Sequence, residues 1–337
     1  MRRTSWALTA LLLLLPNVAS AICGVTYRAQ AGDTLFSIAE MHYGSPQKWS
    51  LIYYANQASL VGNSVAGGEQ LQIPCPPNDL EAEATPLKID DAELKLLTGG
   101  GYAPFTDQNL PGGGMVTELV NAAMELTPQP VPYSLTWEND WSKHLFPALN
   151  EKKFDMGFPW LKPDCAGEPD NERCKNFHFS EPLMVMPIML FTRTDSDFTF
   201  TNDSDILGRA ICRPAGYFTH DLDSPDRRWI TDDKIDFVVG DSPTDCFNRV
   251  ANGEVDAATV NLFLGATTLV EMGLRDQITP QETPVSEQGL HIVISKRHWR
   301  GTTFLYRVNT GLSALRDSGR YQEIVSRHLE GFWSLLK

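Results

Sequence analysis

From Leu94 onward, short apolar runs of strand type alternate with runs of helical period, and this alternation most narrows what the chain can fold into. Residues 94–98 read as a strand. Met115, Val116, Leu119, Val120, Ala123 and Met124 then fall on one face of a helix, while Val131, Tyr133, Leu135 and Trp137 alternate as a half-buried strand does. Residues 141–150 can be helical, and 154–158 return as a strand. A second set follows at 210–212, 236–239, 246–251 (helical) and 255–260. Strands alternating with helices of this length predict an α/β fold with helices packed on the sheet.

The N-terminus reads as an address label. Arg2 and Arg3 precede an apolar stretch at 7–15, Pro16 breaks it, and Ala19-Ser20-Ala21 offers small residues for cleavage. That stretch is shorter than the about 20 apolar residues a membrane-spanning helix needs. Residues 1–21 are therefore expected to be a signal peptide, excluded from the fold. Ile22, ahead of Cys23, is bulky where a lipidation signal has a small residue. No later stretch has the length of a transmembrane anchor, so the expected location is the periplasm. The formal charge of −14 argues against nucleic acid or anionic lipid as partners. Six cysteines in an exported chain point to disulfides. They fall into local pairs, Cys23 with Cys75, Cys165 with Cys174 and Cys212 with Cys246, although spacing alone leaves other pairings open. None has CxxC or His-rich spacing, so neither a metal nor a cofactor is expected.

Residues 22–75 read as a separate unit. A strand at 25–27 leads to Gly32-Asp33-Thr34-Leu35, where Gly permits a tight turn and Asp33 or Thr34 can cap a helix. Leu35, Ile38 and Ala39 supply one helix face, and Trp49, Ile52 and Tyr53 a second. Gly67-Gly68 turns the chain into a closing strand at 71–74. The order is β-α-α-β. With Tyr27, Gly32-Asp33-Thr34-Leu35, Ile38-Ala39, Asn56, Gly68 and Leu71-Gln72-Ile73-Pro74 in sequence, this unit resembles the LysM module. The resemblance implies binding to N-acetylglucosamine-containing glycan, most plausibly peptidoglycan. It nominates Gly32, Asp33, Thr34 and Leu35 on one side and Asn56, Ser59 and Leu60 on the other, with capping and core packing as the competing roles. Cys23 and Cys75 bracket the unit, and a crosslink closing a loop of that length stabilises by roughly 4 kcal/mol in the chain-entropy account. Residues 76–91, rich in proline, acid and alanine, read as a linker that lets the two parts adopt different orientations.

The remainder, 92–337, carries an ordered series of landmarks. They are Gly101-Tyr102-Ala103-Pro104-Phe105, Gly113-Gly114 with Glu118-Leu119, Trp141, Pro147-Ala148-Leu149, Lys153-Phe154-Asp155, Asn171-Glu172-Arg173 and Phe179-Ser180-Glu181-Pro182-Leu183. Asn252-Gly253-Glu254-Val255-Asp256-Ala257 and Gly319-Arg320-Tyr321 complete it. In this order they resemble the family-three, amino-acid-type extracellular solute-binding proteins. The resemblance implies a two-lobed, type II-like periplasmic-binding-protein fold, with lobe 1 at about 92–190 and 290–337 and lobe 2 at about 191–289. Crossing segments are expected near 183–193 and 287–295, with solute enclosed between the lobes. It implies aromatic contacts from Tyr102 and Phe105 and a carboxylate-pairing arginine at Arg173, a role suited to a planar bidentate donor. Backbone donors are expected around Gly216 and Tyr217 at a helix start. Three departures stand out. Trp160-Leu161-Lys162 replaces a run of small residues, and residues 164–173 add a loop to the cleft wall. Asn261 stands where the family has the acid that meets an α-ammonium, so a standard amino acid is only one candidate solute.

The function expected from these features is non-catalytic capture of a small polar solute beside the cell wall, for the membrane subunits of an ABC-type importer or for a sensory partner. The alternative is an envelope accessory protein whose large domain binds another envelope protein. Dehydratase-like chemistry on the same fold ranks third. Asp155, Glu172 and Glu181 supply carboxylates, but nothing marks a tuned acid–base pair, and the eight or so residues past the matched region leave no space for a further catalytic domain.

Overall fold

The computed structural model describes residues 23–56, 60, 65–75 and 92–335. The expected signal peptide (1–21), Ser59 and the linker (76–91) lie outside the described residues.

The N-terminal unit has the expected βααβ order: β1 (Val25–Arg28), α1 (Leu35–Tyr43), α2 (Trp49–Asn56) and β2 (Gln70–Ile73), with β1 and β2 antiparallel and Val25 opposite Ile73. Of the two candidate caps, Thr34 is the one used. Its Oγ1 accepts from Ser37 N at 3.0 Å, while Ser37 Oγ accepts from Thr34 N at 2.9 Å, a reciprocal box that satisfies two of the donors a helix start leaves free. Cys23 and Cys75 are bonded, closing the unit at both ends.

The large unit is built on one sheet with the strand order β4-β3-β5-β12-β7-β10-β8-β9. One half holds β3 (Leu94–Thr98), β4 (Tyr133–Trp137) and β5 (Met156–Leu161), all parallel, with α3 (Met115–Glu125) packed alongside. The short α4 (Glu172–Asn176) and β6 (Phe177–Phe179) then lead to the long strand β7 (Met184–Arg193). The other half holds β8 (Ala210–Pro214), β9 (Asp236–Gly240) and β10 (Ala257–Asn261), again parallel, with α5 (Pro243–Ala251), α6 (Leu262–Met272) and β11 (Ile278–Pro280). The chain returns through β12 (Ser286–Ser295) and ends in α7 (Gly301–Asp317) and α8 (Arg320–Leu335).

β7 and β12 stitch the halves together. Their first halves pair with each other, Ser286 opposite Ile188 and Leu290 opposite Met184. Beyond that, β7 pairs with β10, and β12 pairs with β5 and β6. Both strands lie within a residue of the expected crossing segments. β7 is apolar almost without interruption because both of its faces are buried. The two remaining cysteine pairs are also bonded: Cys165–Cys174 ahead of β6, and Cys212–Cys246 tying β8 to α5.

The two units do not stand apart, as the linker composition had suggested. Nearly every residue of α2 is buried, one side against α1 and β2 and the other against α8. Trp333 Nε1 donates to Ser50 Oγ at 2.9 Å, Lys48 pairs with Glu330 at 2.8 Å, and the Tyr53 hydroxyl donates to the Glu287 carboxylate on β12. A helix that is apolar on all sides has to be covered on all sides, and here the second cover is the large unit.

Candidate functional site

The site is assembled from loops at the ends of the two half-sheets. After β3, the chain turns through Gly99 to Phe105 before entering α3. The first donors of α3 are taken by this loop: Met115 N bonds Pro104 O at 2.9 Å and Val116 N bonds Phe105 O at 2.8 Å. Gly114, at φ +94°, makes that approach possible, because a Cβ there would lie 2.6 Å from Phe105 O. The loop is further fixed by Asp107, which accepts from Gly101 N and Asn109 N at 2.9 Å each. These backbone donors, Asn109 first, hold its carboxyl below the usual carboxylate range.

Tyr102 and Phe105 therefore sit in a rigid loop. Phe105 is fully buried between Tyr102 and Phe263, with ring centroids at 4.9 and 5.1 Å. Tyr102 is half-buried, with its hydroxyl 3.6 Å from Met186 Sδ. Burial, and then the neighbouring Tyr217 of the other half, raise its pKa above the ordinary phenol value.

Trp160 and Leu161 end β5, and Arg173 comes from the first turn of α4. That turn is held by the Cys165–Cys174 bridge and by Asn171, whose Oδ1 accepts from Arg173 N at 3.0 Å. The Arg173 guanidinium lies 5.2 Å from the Trp160 ring centroid. No carboxylate among the described residues pairs with it, and burial lowers its pKa. Trp160 Nε1 is also buried without an acceptor. Lys162 points to solvent and lines neither this cavity nor the adjoining recess beside Trp160.

The second half supplies Gly216, Tyr217 and Asn261. Asn261 is buried at the end of β10 and caps α6, its Oδ1 accepting from Leu264 N at 3.0 Å. Gly216 and Tyr217 do not open a helix. They form a turn after β8, with Gly216 at φ +80° and Tyr217 N bonded to Pro214 O at 3.3 Å, so the expected helix-start anion site is absent here. The left-handed glycine reverses the strand, and no helix forms before α5.

Together these residues line a cavity of about 830 Å³, within the ordinary range for small-molecule sites. Tyr102, Phe105 and Arg173 contribute from one half, and Gly216, Tyr217 and Asn261 from the other. The recess beside it adds Trp160 and Trp141 and shares Tyr102, Leu161 and Arg173 with it.

Several wall residues were not foreseen, among them Asp107, Met186, Glu271 and Arg213. Arg213, on β8, is 2% exposed and forms a bidentate pair with Asp221 at 2.5 and 3.1 Å. It also donates to Thr259 Oγ1 and Phe218 O, and Ser286 Oγ donates to Asp221 at 2.7 Å. The signal was an arginine inside the otherwise apolar run Ile211-Cys212-Arg213-Pro214.

In the N-terminal unit the nominated glycan residues carry framework duties. Asp33 accepts from the Tyr27 hydroxyl at 2.8 Å and from Gln30 N at 2.7 Å, Thr34 caps α1, and Leu35 is in the core. Asn56 joins α2 to β2 by donating to Gln72 O and accepting from Gln72 N. Leu60 is half-buried, its N bonded to Asn56 O, and Gly32 is exposed at φ +94°. Among the described residues no cluster of side chains could hold a metal ion, and no helix is long and apolar enough to cross a membrane.

No curated protein matches the sequence. Solved structures share the fold. A histidine kinase sensor domain with similarity to periplasmic binding proteins aligns with a TM-score of 0.50 at 22% identity, over 69% of this chain and 94% of its own. The second substrate-binding domain of a putative amino acid ABC transporter from Streptococcus pneumoniae gives 0.51 at 15% identity, over 70% and 100%. The periplasmic VFT2 domain of Bordetella pertussis BvgS gives 0.50 at 17%, over 69% and 92%. The family model described as bacterial extracellular solute-binding proteins, family 3, matches residues 94–331. An α/β sheet crossed twice, a cavity between its halves and a match spanning most of the chain agree, and this protein belongs to that family of solute-binding proteins.

Proposed function

We propose that the protein is an exported receptor that closes its two halves around a small anionic solute. The observation that carries this reading is the single cavity on which Arg173 and Tyr102 from one half meet Tyr217 and Asn261 from the other. Membership in family 3 makes the large unit a binder and not an enzyme. In this reading residues 92–190 and 290–337 form lobe 1 and 191–289 form lobe 2. β7 and β12 are the hinge, and solute shifts the open–closed equilibrium by touching both lobes. Delivery to an ABC-type importer or a report to a sensory partner both fit, since the similar structures include an amino acid transporter domain and a kinase sensor domain. The test is thermal unfolding of the mature protein against a solute library. A ligand-dependent rise in Tm that Arg173→Ala abolishes is expected, and no rise with any solute ends the receptor reading.

The N-terminal unit is read as a LysM-like module that holds the receptor to peptidoglycan, supported by its βααβ order and by the exposed turn at Gly32. Mature protein should co-sediment with purified peptidoglycan and be released by N-acetylglucosamine oligomers. Failure to co-sediment removes the wall-association reading. One observation favours the second reading, an accessory protein with a protein partner: Trp299 is 79% exposed beside Arg300, a pairing of residue types enriched at protein interfaces. Co-purification of one envelope protein, lost in Trp299→Ala, together with no solute response, would favour it.

A further inference from the structure

The class of solute can be taken further, on the basis of the receptor reading above. Four charged side chains line the cavity: Asp107, Arg173, Arg213 and Glu271. Asp107 is held by the amides of Gly101 and Asn109. Arg213 is neutralised by Asp221, which is itself held by Ser286 and 2% exposed at its side chain. Glu271 stands exposed near the outer end of α6. Of the two cations, Arg173 is the one that is partly buried with no counter-ion, and the buried Trp160 Nε1 beside it lacks an acceptor. The wall thus presents one cation with no counter-ion, while the partly buried carboxylate of Asp107 is already taken up by two backbone amides and by Asn109 Nδ2.

On the other half from Arg173 the wall presents the neutral Asn261, whose Oδ1 is engaged with Leu264 N at the start of α6. A solute ammonium enclosed against Asn261 would lose its water without gaining a charged acceptor there, and an ion buried unpaired is strongly disfavoured. A carboxylate would instead gain Arg173. Around it the wall offers flat apolar faces, from Tyr102 and Tyr217 in the cavity and Trp160 in the adjoining recess. We infer that the cavity selects organic carboxylates carried on an aromatic or similarly flat apolar body, and discriminates against zwitterionic amino acids of the same shape.

The test uses mature protein and three probes sharing one ring and one chain length, followed by calorimetry and thermal shift. They are 3-phenylpropanoate, L-phenylalanine, which adds an ammonium, and phenethylamine, which has the ammonium alone. The expected result is that 3-phenylpropanoate binds at least ten-fold more tightly than L-phenylalanine, and that phenethylamine does not bind. Arg173→Ala should abolish the binding. Asn261→Asp keeps a capping carboxylate oxygen and should move the preference toward L-phenylalanine. Equal or tighter binding of L-phenylalanine by the unaltered protein overturns the inference and leaves the receptor reading standing, as does amino acid binding that Glu271→Gln removes. If none of the three probes binds while another class of solute does, the inference again fails alone. Only a library with no binder at all also sinks the receptor reading.

Discussion

Arg173 and Arg213 share one cavity and differ in what surrounds them. Arg213 is locked by Asp221, Thr259 and a backbone carbonyl, so it shapes the wall, whereas Arg173 rests on an indole with no counter-ion. Removing one partner of a buried pair strands the other charge. Asp221→Asn should therefore lower stability by about 3–5 kcal/mol in urea unfolding. Replacing both partners with apolar residues should cost less than the sum of the single changes, and a strictly additive result would contradict this account. Four histidines set an acid limit. Burial is the first cause of the lowered pKa of His144, His178, His291 and His328, and His328 is brought down to about 4 by burial and then by the charge of Arg327. Each is neutral in the folded protein at a pH where the unfolded chain binds a proton, so stability is complete above about 6.5 and falls as pH drops toward their folded values. The urea midpoint should be lower at about pH 5 than at about pH 7.5, and a higher midpoint at pH 5 would refute this. Arg173 and Tyr102 were legible because they sit in motifs whose order survives. The role of Arg213 was not, because it depends on Asp221 and on Ser286, 65 residues beyond Asp221, and no local pattern encodes that meeting.

At the scale of elements, α6 is seated on β7 through a position that has no room for a side chain. A Cβ on Gly265 would lie 2.1 Å from Phe191 Cζ. Gly265→Ala should shift α6 and cost about 1–3 kcal/mol, the usual range for overpacking, measured by urea unfolding. Because Asn261 and Leu264 ride on the start of the same helix, solute affinity should fall with it, and an unchanged stability would show that the helix can move freely. The crossing strands were placed by the family resemblance, and in β7 the burial of both faces shows as an apolar run from Met184 to Phe191. The connection from β8 to β9 could not be read from sequence. Its geometry comes from turns around Gly216 and from Trp229 packing with Phe200, neither of which has a period. Residues 141–150 were read as able to be helical; the structure keeps a wider turn at His144–Leu149, where Pro147 interrupts the helical bonding.

For the whole molecule, the joint between the two units decides how it unfolds. Trp49, Ile52 and Tyr53 were read as one face of α2, but Ser50, Leu51 and Tyr54 are equally buried, and they form the second face that the linker composition concealed. With α2 and α8 in a common core, calorimetry should record a single unfolding transition for the mature protein. Two well-separated transitions would mean that the units are independent. Trp333→Ala removes a buried indole and its bond to Ser50, and should lower the single Tm or split it. The bond from Tyr53 to Glu287 also has a mechanical meaning. Glu287 lies on β12 three residues before Leu290, where that strand exchanges β7 for β5 as its neighbour. In the receptor reading proposed above, a pull on the N-terminal unit from an immobile support would reach the seam between the halves through this bond, as well as α8 through Ser50 and Lys48, so tension and lobe rotation would act on the same strand.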